Sequence, residues 1–201
     1  MSTHRPESPA VRLTRLIEGS DAVEPLAGAI APVAAALTSR PAVRALLLGG
    51  PAGHALHPVL TDLPMGTWMS AGVLDLLGGE RARPAARLLV GVGVLSALPT
   101  AATGLAEWTH TDTRSGRVGA VHAAGSTIAL GFYGLSWLAR RREHHGRGAV
   151  LGLLGAAAIS ASGFLGGHLS LARNVASRDA AFADSLPADA VGQDHGAAML
   201  T

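Results

Sequence analysis

The sequence predicts an all-α integral membrane protein, a four-helix up-down bundle preceded by amphipathic helices at the membrane interface. Three observations predict this fold. The 201-residue chain is 48% hydrophobic and only 15% charged, with a mean hydropathy of +0.32. Four apolar runs are each long enough to cross a hydrocarbon layer of roughly 30 Å at about 1.5 Å per residue. Short connections between the runs require neighbouring helices to pack antiparallel.

Composition excludes several kinds of protein. Cysteine is absent, which excludes disulfides, thiolate zinc sites, cysteine-ligated iron-sulfur clusters and cysteine nucleophiles. Aromatic residues make up only 3% of the chain, a poor supply for a large soluble core but suitable for helices that pack closely in lipid. The formal net charge is only +2, and no arginine-rich face carries interleaved aromatic residues, so we expect no nucleic-acid partner.

Residues 1–50 form a polar and amphipathic N-terminal segment. No apolar core of a signal peptide is present near the start, so the first spanning helix is expected to act as the insertion signal. An apolar patch within residues 21–49 is interrupted by Pro32 and followed by Arg40, Pro41 and Arg44. Being short and broken, this patch predicts one or two helices that lie at the interface.

Residues 51–172 hold the predicted transmembrane bundle. Small residues recur at helical spacing inside the apolar runs, as at Gly148 with Gly152, which favours close helix crossing in lipid. From residue 173 to 201 the chain is polar with little periodicity, which predicts a disordered tail. The four predicted spans cover residues 58–78, 84–106, 118–139 and 148–171.

Alternating the direction of the four helices brings most histidines to one membrane face. His122 and His168 lie inside apolar spans, where an ionisable side chain is costly and is usually paired or functional. Both lie roughly 5 Å below their helix ends, so they share a depth. The five histidines predicted at this face are His54, His57, His110, His122 and His168.

Neutral imidazoles at one depth on different helices can ligate one transition metal or the two axial positions of a haem iron. We therefore predict His57, His122 and His168 as ligands, with His54 and His110 at the mouth as further metal-binding candidates. A structural interpretation stays open for each residue. His122 can hydrogen-bond a neighbouring helix, His57 before Pro58 can cap a helix, and the other two can face water.

Three acids surround these histidines in the sequence. Asp62 can accept the ring N–H of a ligand histidine from another helix, which would fix its tautomer; the competing role is an acid favoured by the helix dipole. Glu107 and Asp112 flank His110 and can complete a polar mouth.

Asp75 lies about 27 Å along the first span from the histidines, near the opposite membrane face. A carboxylate there favours pairing with a nearby cation. The sequence predicts that Asp75 pairs with Arg81 or Arg83 in the following loop.

The stretch G-H-A-L-H-P-V-L-T-D-L-P-M-G-T-W resembles a family of bacterial multi-pass membrane proteins, the domain of unknown function 2231. The segments E-W-T-H-T, V-H-A-A and G-G-H-L-S-L extend the resemblance over approximately residues 54–171. The resemblance implies a bundle in a bacterial plasma membrane. Some relatives carry a Rieske-type domain after the bundle, which implies membrane electron transfer for them. Without cysteine this chain has no such centre, so its electron partner would be a separate protein or a quinol.

The leading functional hypothesis is a small membrane protein that binds b-type haem or a transition metal near one face for electron transfer. The alternative is a non-redox membrane scaffold or small-ion carrier, in which the histidines and Asp62 form a structural hydrogen-bond cluster. The sequence contains no nucleophile elbow, phosphate loop or paired carboxylates, so no enzyme class is predicted.

Overall fold

The computed structural model describes residues 7–179 and 199–200, and within them the fold is all-α apart from one two-residue strand pair. The strands β1 (Arg178–Asp179) and β2 (Met199–Leu200) pair in parallel. The all-α prediction is confirmed. The helices are α1 (Pro9–Glu18), α2 (Glu24–Leu37), α3 (Pro41–Leu47), α4 (His57–Leu77), α5 (Arg83–Trp108), α6 (Thr113–Arg141) and α7 (His145–Gly167), which a π-helical turn (His168–Ala172) extends.

Three of the described helices are long and apolar enough to cross a membrane. They cover Glu80–Trp108, Thr113–Arg141 and His145–Ala172, counting the turns that adjoin α5 and α7. Helix α4 has 21 residues, which is about 31 Å at 1.5 Å per residue. Helix α4 is not one of these three spans, and it includes His57, Asp62 and Asp75.

The four long helices pack as two antiparallel hairpins. Helix α4 lies along α5, α6 lies along α7, and contacts of α5 with α6 and of α4 with α7 join the hairpins. Trp68 of α4 stacks on Tyr133 of α6, with ring centroids 4.0 Å apart and planes at 7°. Both rings need space from small neighbours. A Cβ atom added to Gly93 would lie 2.2 Å from Trp68 Nε1, and one added to Gly155 would lie 2.9 Å from the Tyr133 ring.

Pro64 lies inside α4 without ending the helix. A proline has no N–H to donate to the carbonyl four residues earlier, which leaves the Leu60 carbonyl without its helical partner. The Thr100 hydroxyl of α5 lies 3.1 Å from that carbonyl and 2.9 Å from the Ser96 carbonyl of its own helix, so its one proton is shared between the two acceptors. The proline therefore leaves an acceptor for α5 at the end of the hairpin where His57 lies.

Asp75 pairs with Arg140 of α6, so the predicted pairing with Arg81 or Arg83 was wrong. Two arginine nitrogens donate to the two Asp75 oxygens at 2.7 and 2.5 Å, and the Arg140 side chain is only 1% exposed. The antiparallel packing brings the ends of α4 and α6 together, and sequence spacing does not reveal which residues then meet. Arg83 pairs instead with Glu80 in its own turn.

The N-terminal helices α1 and α2 pack against α6, and α2 also contacts α5. Helix α2 continues through Pro32, where the sequence predicted an interruption. Joined across their break, α1 and α2 are also long and apolar enough for a span, but they are bent by 65°. The predicted interfacial segment is therefore a bent helical pair followed by the short helix α3.

Residues 173–179, where the predicted disordered tail begins, return to the start of α4. The buried Ser177 donates through both its backbone N–H and its hydroxyl to Glu107 Oε2 at 2.9 Å. Its carbonyl accepts from Ala55 N at 2.8 Å, and Asp179 N donates to Gly53 O at 2.9 Å. The rest of the predicted tail, apart from residues 199–200, lies outside the described residues, as do residues 1–6.

Candidate functional site

His57 is the first residue of α4, and its ring packs against α5. The ring Nδ1 lies 2.9 Å from the Thr100 carbonyl oxygen. Because a carbonyl can only accept, a neutral His57 carries its proton on Nδ1 and leaves Nε2 with a free lone pair. A Cβ atom on Gly104 would lie 2.7 Å from the His57 ring, so this glycine permits the close packing.

His122 of α6 is held in the same manner by α7. Its Nδ1 lies 2.8 Å from the Ser162 carbonyl oxygen, so the neutral ring again carries its proton on Nδ1. The Ser162 hydroxyl donates to the His122 carbonyl at 2.8 Å and lies 2.7 Å from the Ser126 hydroxyl. A Cβ atom on Gly166 would lie 2.9 Å from the ring, which repeats the glycine contact seen at His57.

The two rings meet at the junction of the two helical hairpins. Their centroids are 6.3 Å apart, and their planes are nearly perpendicular at 86°. Each Nδ1 bonds a carbonyl of its own hairpin, so the two Nε2 atoms lie on the ring sides away from those bonds. In the described part of the chain, neither Nε2 has a hydrogen-bond partner. The pair thus presents two oriented imidazoles with free ring nitrogens.

His168 does not join this pair. Its Nε2 lies 2.9 Å from Glu18 Oε1 at the end of α1, and Arg173 binds the same carboxylate at 2.9 and 2.7 Å. Arg117 of α6 donates to the Glu18 backbone carbonyl at 3.0 Å. His168 therefore helps to attach the N-terminal helices to the end of α7.

The side chains of the other two predicted histidines make only local hydrogen bonds. His54 is exposed, and its Nδ1 lies 3.1 Å from the neighbouring Ala55 carbonyl. His110 is half-buried, with Nδ1 3.3 Å from the Ala106 carbonyl and 3.0 Å from Thr109 Oγ1. Among the described residues no group of three or more His, Asp or Glu side chains could hold a metal ion. Of the five histidines, only His57 and His122 are in ring contact with each other.

The three acids predicted to support the histidines bond elsewhere. Asp62 is exposed and has no side-chain partner within the described residues. Asp112 caps α6, accepting from Ser115 N at 2.7 Å. Glu107 is 7% exposed, and its Oε1 has no hydrogen-bond partner in the described part of the chain. None of the three hydrogen-bonds to His57 or His122.

Thr100 and Ser162, which orient the two rings, were not predicted from the sequence. Both act through backbone carbonyls, which every residue possesses, so their contribution depends on which helix faces each histidine. The available signal was hydroxyl residues inside apolar spans: Thr100 and Thr103 follow Pro99, and Ser160 and Ser162 lie together in α7.

Comparison with known proteins identifies the chain at the level of a family. The model of a family described as "Predicted membrane protein (DUF2231)" matches residues 53–179, well over half of the chain. The match includes α4 to α7 and the segment that returns to Gly53, but not α1 to α3. Searches of curated proteins and of solved structures found no match.

Proposed function

The chain belongs to the family of predicted membrane proteins DUF2231, and from that premise we propose that it is a four-span membrane protein with a bis-histidine metal centre for electron transfer. The ligands in this proposal are His57 and His122. The observation that carries it is the geometry of their rings: Nδ1 of each is bonded to a carbonyl, and the centroids are 6.3 Å apart.

The fourth span in this proposal is α4, in addition to the three helices that are long and apolar enough to cross a membrane. Its length of about 31 Å matches the hydrocarbon layer. It exposes apolar side chains suited to lipid, including Val59, Leu63, Met69 and Val73. Asp75 is neutralised by Arg140, and Asp62 lies only about 8 Å from the start of the helix, near the interface.

The spacing of the two rings fits ligation of one metal. His57 and His122 would hold a metal through Nε2, the ring nitrogen that neither residue uses for a hydrogen bond. With metal–nitrogen bonds of about 2.0–2.1 Å and a ring radius of roughly 1.1 Å, two imidazoles that share one ion have centroids no more than about 6.3 Å apart. The separation of 6.3 Å would therefore allow both rings to bind the same ion.

The hydrogen bonds at Nδ1 support the same role. Metal-ligating histidines commonly donate their other ring N–H to a carbonyl, which fixes the tautomer and makes the ligand more basic. Thr100 and Ser162 provide these carbonyls from two different helices. Both rings would be ready to bind without a change of tautomer.

An iron or copper ion held by His57 and His122 would supply one-electron chemistry within the membrane. His57 and His122 would keep their positions through the hydrogen bonds of Nδ1 to Thr100 and Ser162. The electron partners in this proposal are a quinol or a separate redox protein. Zinc has no redox chemistry. Binding of zinc alone would therefore support the metal site but would not support a role in electron transfer.

The test is an absorption spectrum and elemental analysis of the full-length protein purified in detergent. We expect close to one haem or one transition metal per chain, lost in His57→Ala and in His122→Ala. His110→Ala is the matched control, since the side chain of this histidine makes only local hydrogen bonds. Absence of binding after incubation with haem, iron, copper and zinc in turn would exclude the proposal. So would equal content in the His57 and His110 variants, with circular dichroism checking that each variant folds.

The second candidate is a structural role in a non-redox scaffold or ion carrier. It is favoured by the His122, Ser162 and Ser126 network, which joins α6 to α7 through several hydrogen bonds. On this hypothesis His122→Ala lowers the melting temperature in detergent, while the haem and metal content of wild type and variant are equally negligible.

A further inference from the structure

A groove of about 660 Å³ lies between α5 and α6, at the membrane face opposite to His57 and His122. The volume is within the range of about 300–1,000 Å³ typical of small-molecule sites. Its wall on α5 consists of residues spaced as one face of a helix, Leu88, Gly91, Val92 and Leu95. Leu88 and Leu95 are 66% and 68% exposed, so the groove opens toward the surrounding lipid.

The end of the groove nearest the membrane surface is cationic. Arg87 lies in the first turns of α5 and Arg141 ends α6, and both line the groove. The Arg141 guanidinium lies 5.0 Å from the centroid of the Trp137 ring, and no described carboxylate pairs with it. Leu95 lies about 12 Å deeper than Arg87 at the helical rise. The groove thus joins a cationic mouth to an apolar interior.

The surrounding loops reinforce the positive charge. The two loops at this face and their flanks hold the acids Glu80 and Glu143 and a larger number of arginines. These arginines are Arg81, Arg83, Arg142 and Arg147. Glu143 is the acid nearest the groove, 3.3 Å from Arg87. A hydrogen bond with His145 holds the pKa of Glu143 below its usual value, so Glu143 stays ionised and competes for Arg87.

We propose that this groove, the α5–α6 groove, binds an anionic phospholipid, with its phosphate between Arg87 and Arg141 and an acyl chain along Leu88 and Leu95. The charge of the mouth selects the headgroup, since basic pockets between helix ends attract anionic lipids. The chain lies along the exposed Leu88 and Leu95, while Gly91 lets the Trp137 indole pack directly on α5: a Cβ atom there would lie 2.6 Å from Trp137 Nε1. Trp137 itself is at the depth where indoles favour the interface. This site is independent of the proposed metal centre.

The test is native mass spectrometry of the full-length protein in detergent, titrated with phosphatidylglycerol or phosphatidylcholine of identical acyl chains. We expect phosphatidylglycerol to bind at least tenfold more tightly. Arg87→Ala/Arg141→Ala should reduce that preference by about 30-fold at most, since each arginine contributes about a factor of five near anionic lipid. Glu143→Gln should raise the affinity for phosphatidylglycerol, because Arg87 loses its competing partner.

Arg142→Ala/Arg147→Ala is the matched control, because it removes the same charge from the same face without touching the groove. An equal loss in this control, or no preference in the wild type, would overturn the proposal. Displacement of phosphatidylglycerol by inorganic phosphate would also overturn it, since the site would then bind a soluble anion.

A second pair of variants tests the acyl-chain part of the groove without altering charge. Val92→Trp fills the groove, whereas Val150→Trp adds the same bulk to an exposed position on α7, outside the groove. We expect only Val92→Trp to weaken phosphatidylglycerol binding. Equal binding by both variants would refute an acyl chain in the groove, and melting temperatures would confirm that both proteins fold.

Discussion

Arg140 of α6 donates two hydrogen bonds to the carboxylate of Asp75, 65 residues earlier in the chain, and so joins α6 to α4. Removing one partner leaves a buried charge without compensation. We expect Asp75→Leu or Arg140→Leu alone to cost about 3–5 kcal/mol of unfolding free energy. The double variant should cost less than either single variant, because it leaves no unpaired charge. Unfolding in detergent, followed by circular dichroism, measures all three.

The control for these three variants is the exposed ion pair of Glu80 with Arg83 at the same face. Exposed pairs contribute about 0–1 kcal/mol, so Glu80→Ala should be nearly neutral. Additive losses for Asp75 and Arg140 would contradict their coupling.

Gly93→Ala tests the contact between α5 and α4. The added methyl would lie 2.2 Å from Trp68 Nε1 and 2.5 Å from Trp68 Cδ1, so the indole must move from its stack on Tyr133. Overpacking of this kind costs about 1–3 kcal/mol. Gly131→Ala is the control, since nothing lies within 4 Å of its added methyl. Chemical unfolding should separate the two variants, and equal stability would show that the Trp68 pocket is looser than described.

Gly166→Ala tests whether the position of the His122 ring matters for metal binding. Its methyl would lie 2.9 Å from the ring and force the imidazole to shift, whereas Gly163→Ala, one turn earlier, meets nothing within 4 Å. Changes to groups that orient a ligand typically cost about 10–100-fold in metal affinity. We expect such a loss only for Gly166→Ala, measured by haem or metal titration. Equal affinities would indicate that the bound group does not depend on His122.

Glu18→Gln tests the attachment of the N-terminal helices. Glu18 binds both His168 and Arg173, and hydrogen bonds to charged groups contribute about 1.5–3 kcal/mol. The variant should speed amide hydrogen exchange over residues 9–37 by at least about tenfold, equivalent to roughly 1.4 kcal/mol. Glu7→Gln, at an exposed pair with Arg15, should leave exchange unchanged. Unchanged exchange in the Glu18 variant would mean that apolar packing alone holds these helices.

The long helices could be predicted because span length and hydropathy are local properties of the sequence. Helix α6 begins five residues before the predicted residue 118, since Asp112 caps a polar first turn that a search for apolar runs excludes. His57 and His122 could be singled out because ionisable groups are rare in apolar segments. Their carbonyl partners could not, because these depend on how each helix is rotated against its neighbour.

The features that could not be predicted are mainly contacts between side chains that lie far apart in the sequence. Glu18 lies 150 residues before His168, and neither sequence segment carries a signal of the other. Asp75 was assigned to the nearest arginines along the chain, whereas packing selects the buried Arg140. Counting residues from the end of a helix predicts how deep a side chain lies in the membrane. It does not predict which side chains of the other helices lie beside it.

The hydrogen bond from Asp179 to Gly53 joins the first and last residues of the family match. The matched unit therefore returns to its own starting point at one membrane face, as a nearly closed loop of chain. A short linker between residues 179 and 53 would permit a circular permutant with new termini in the loop between α5 and α6. A domain attached after residue 179 would emerge next to α1 to α3, which precede residue 53. Segments attached at either end of the matched unit would therefore be anchored at the same place.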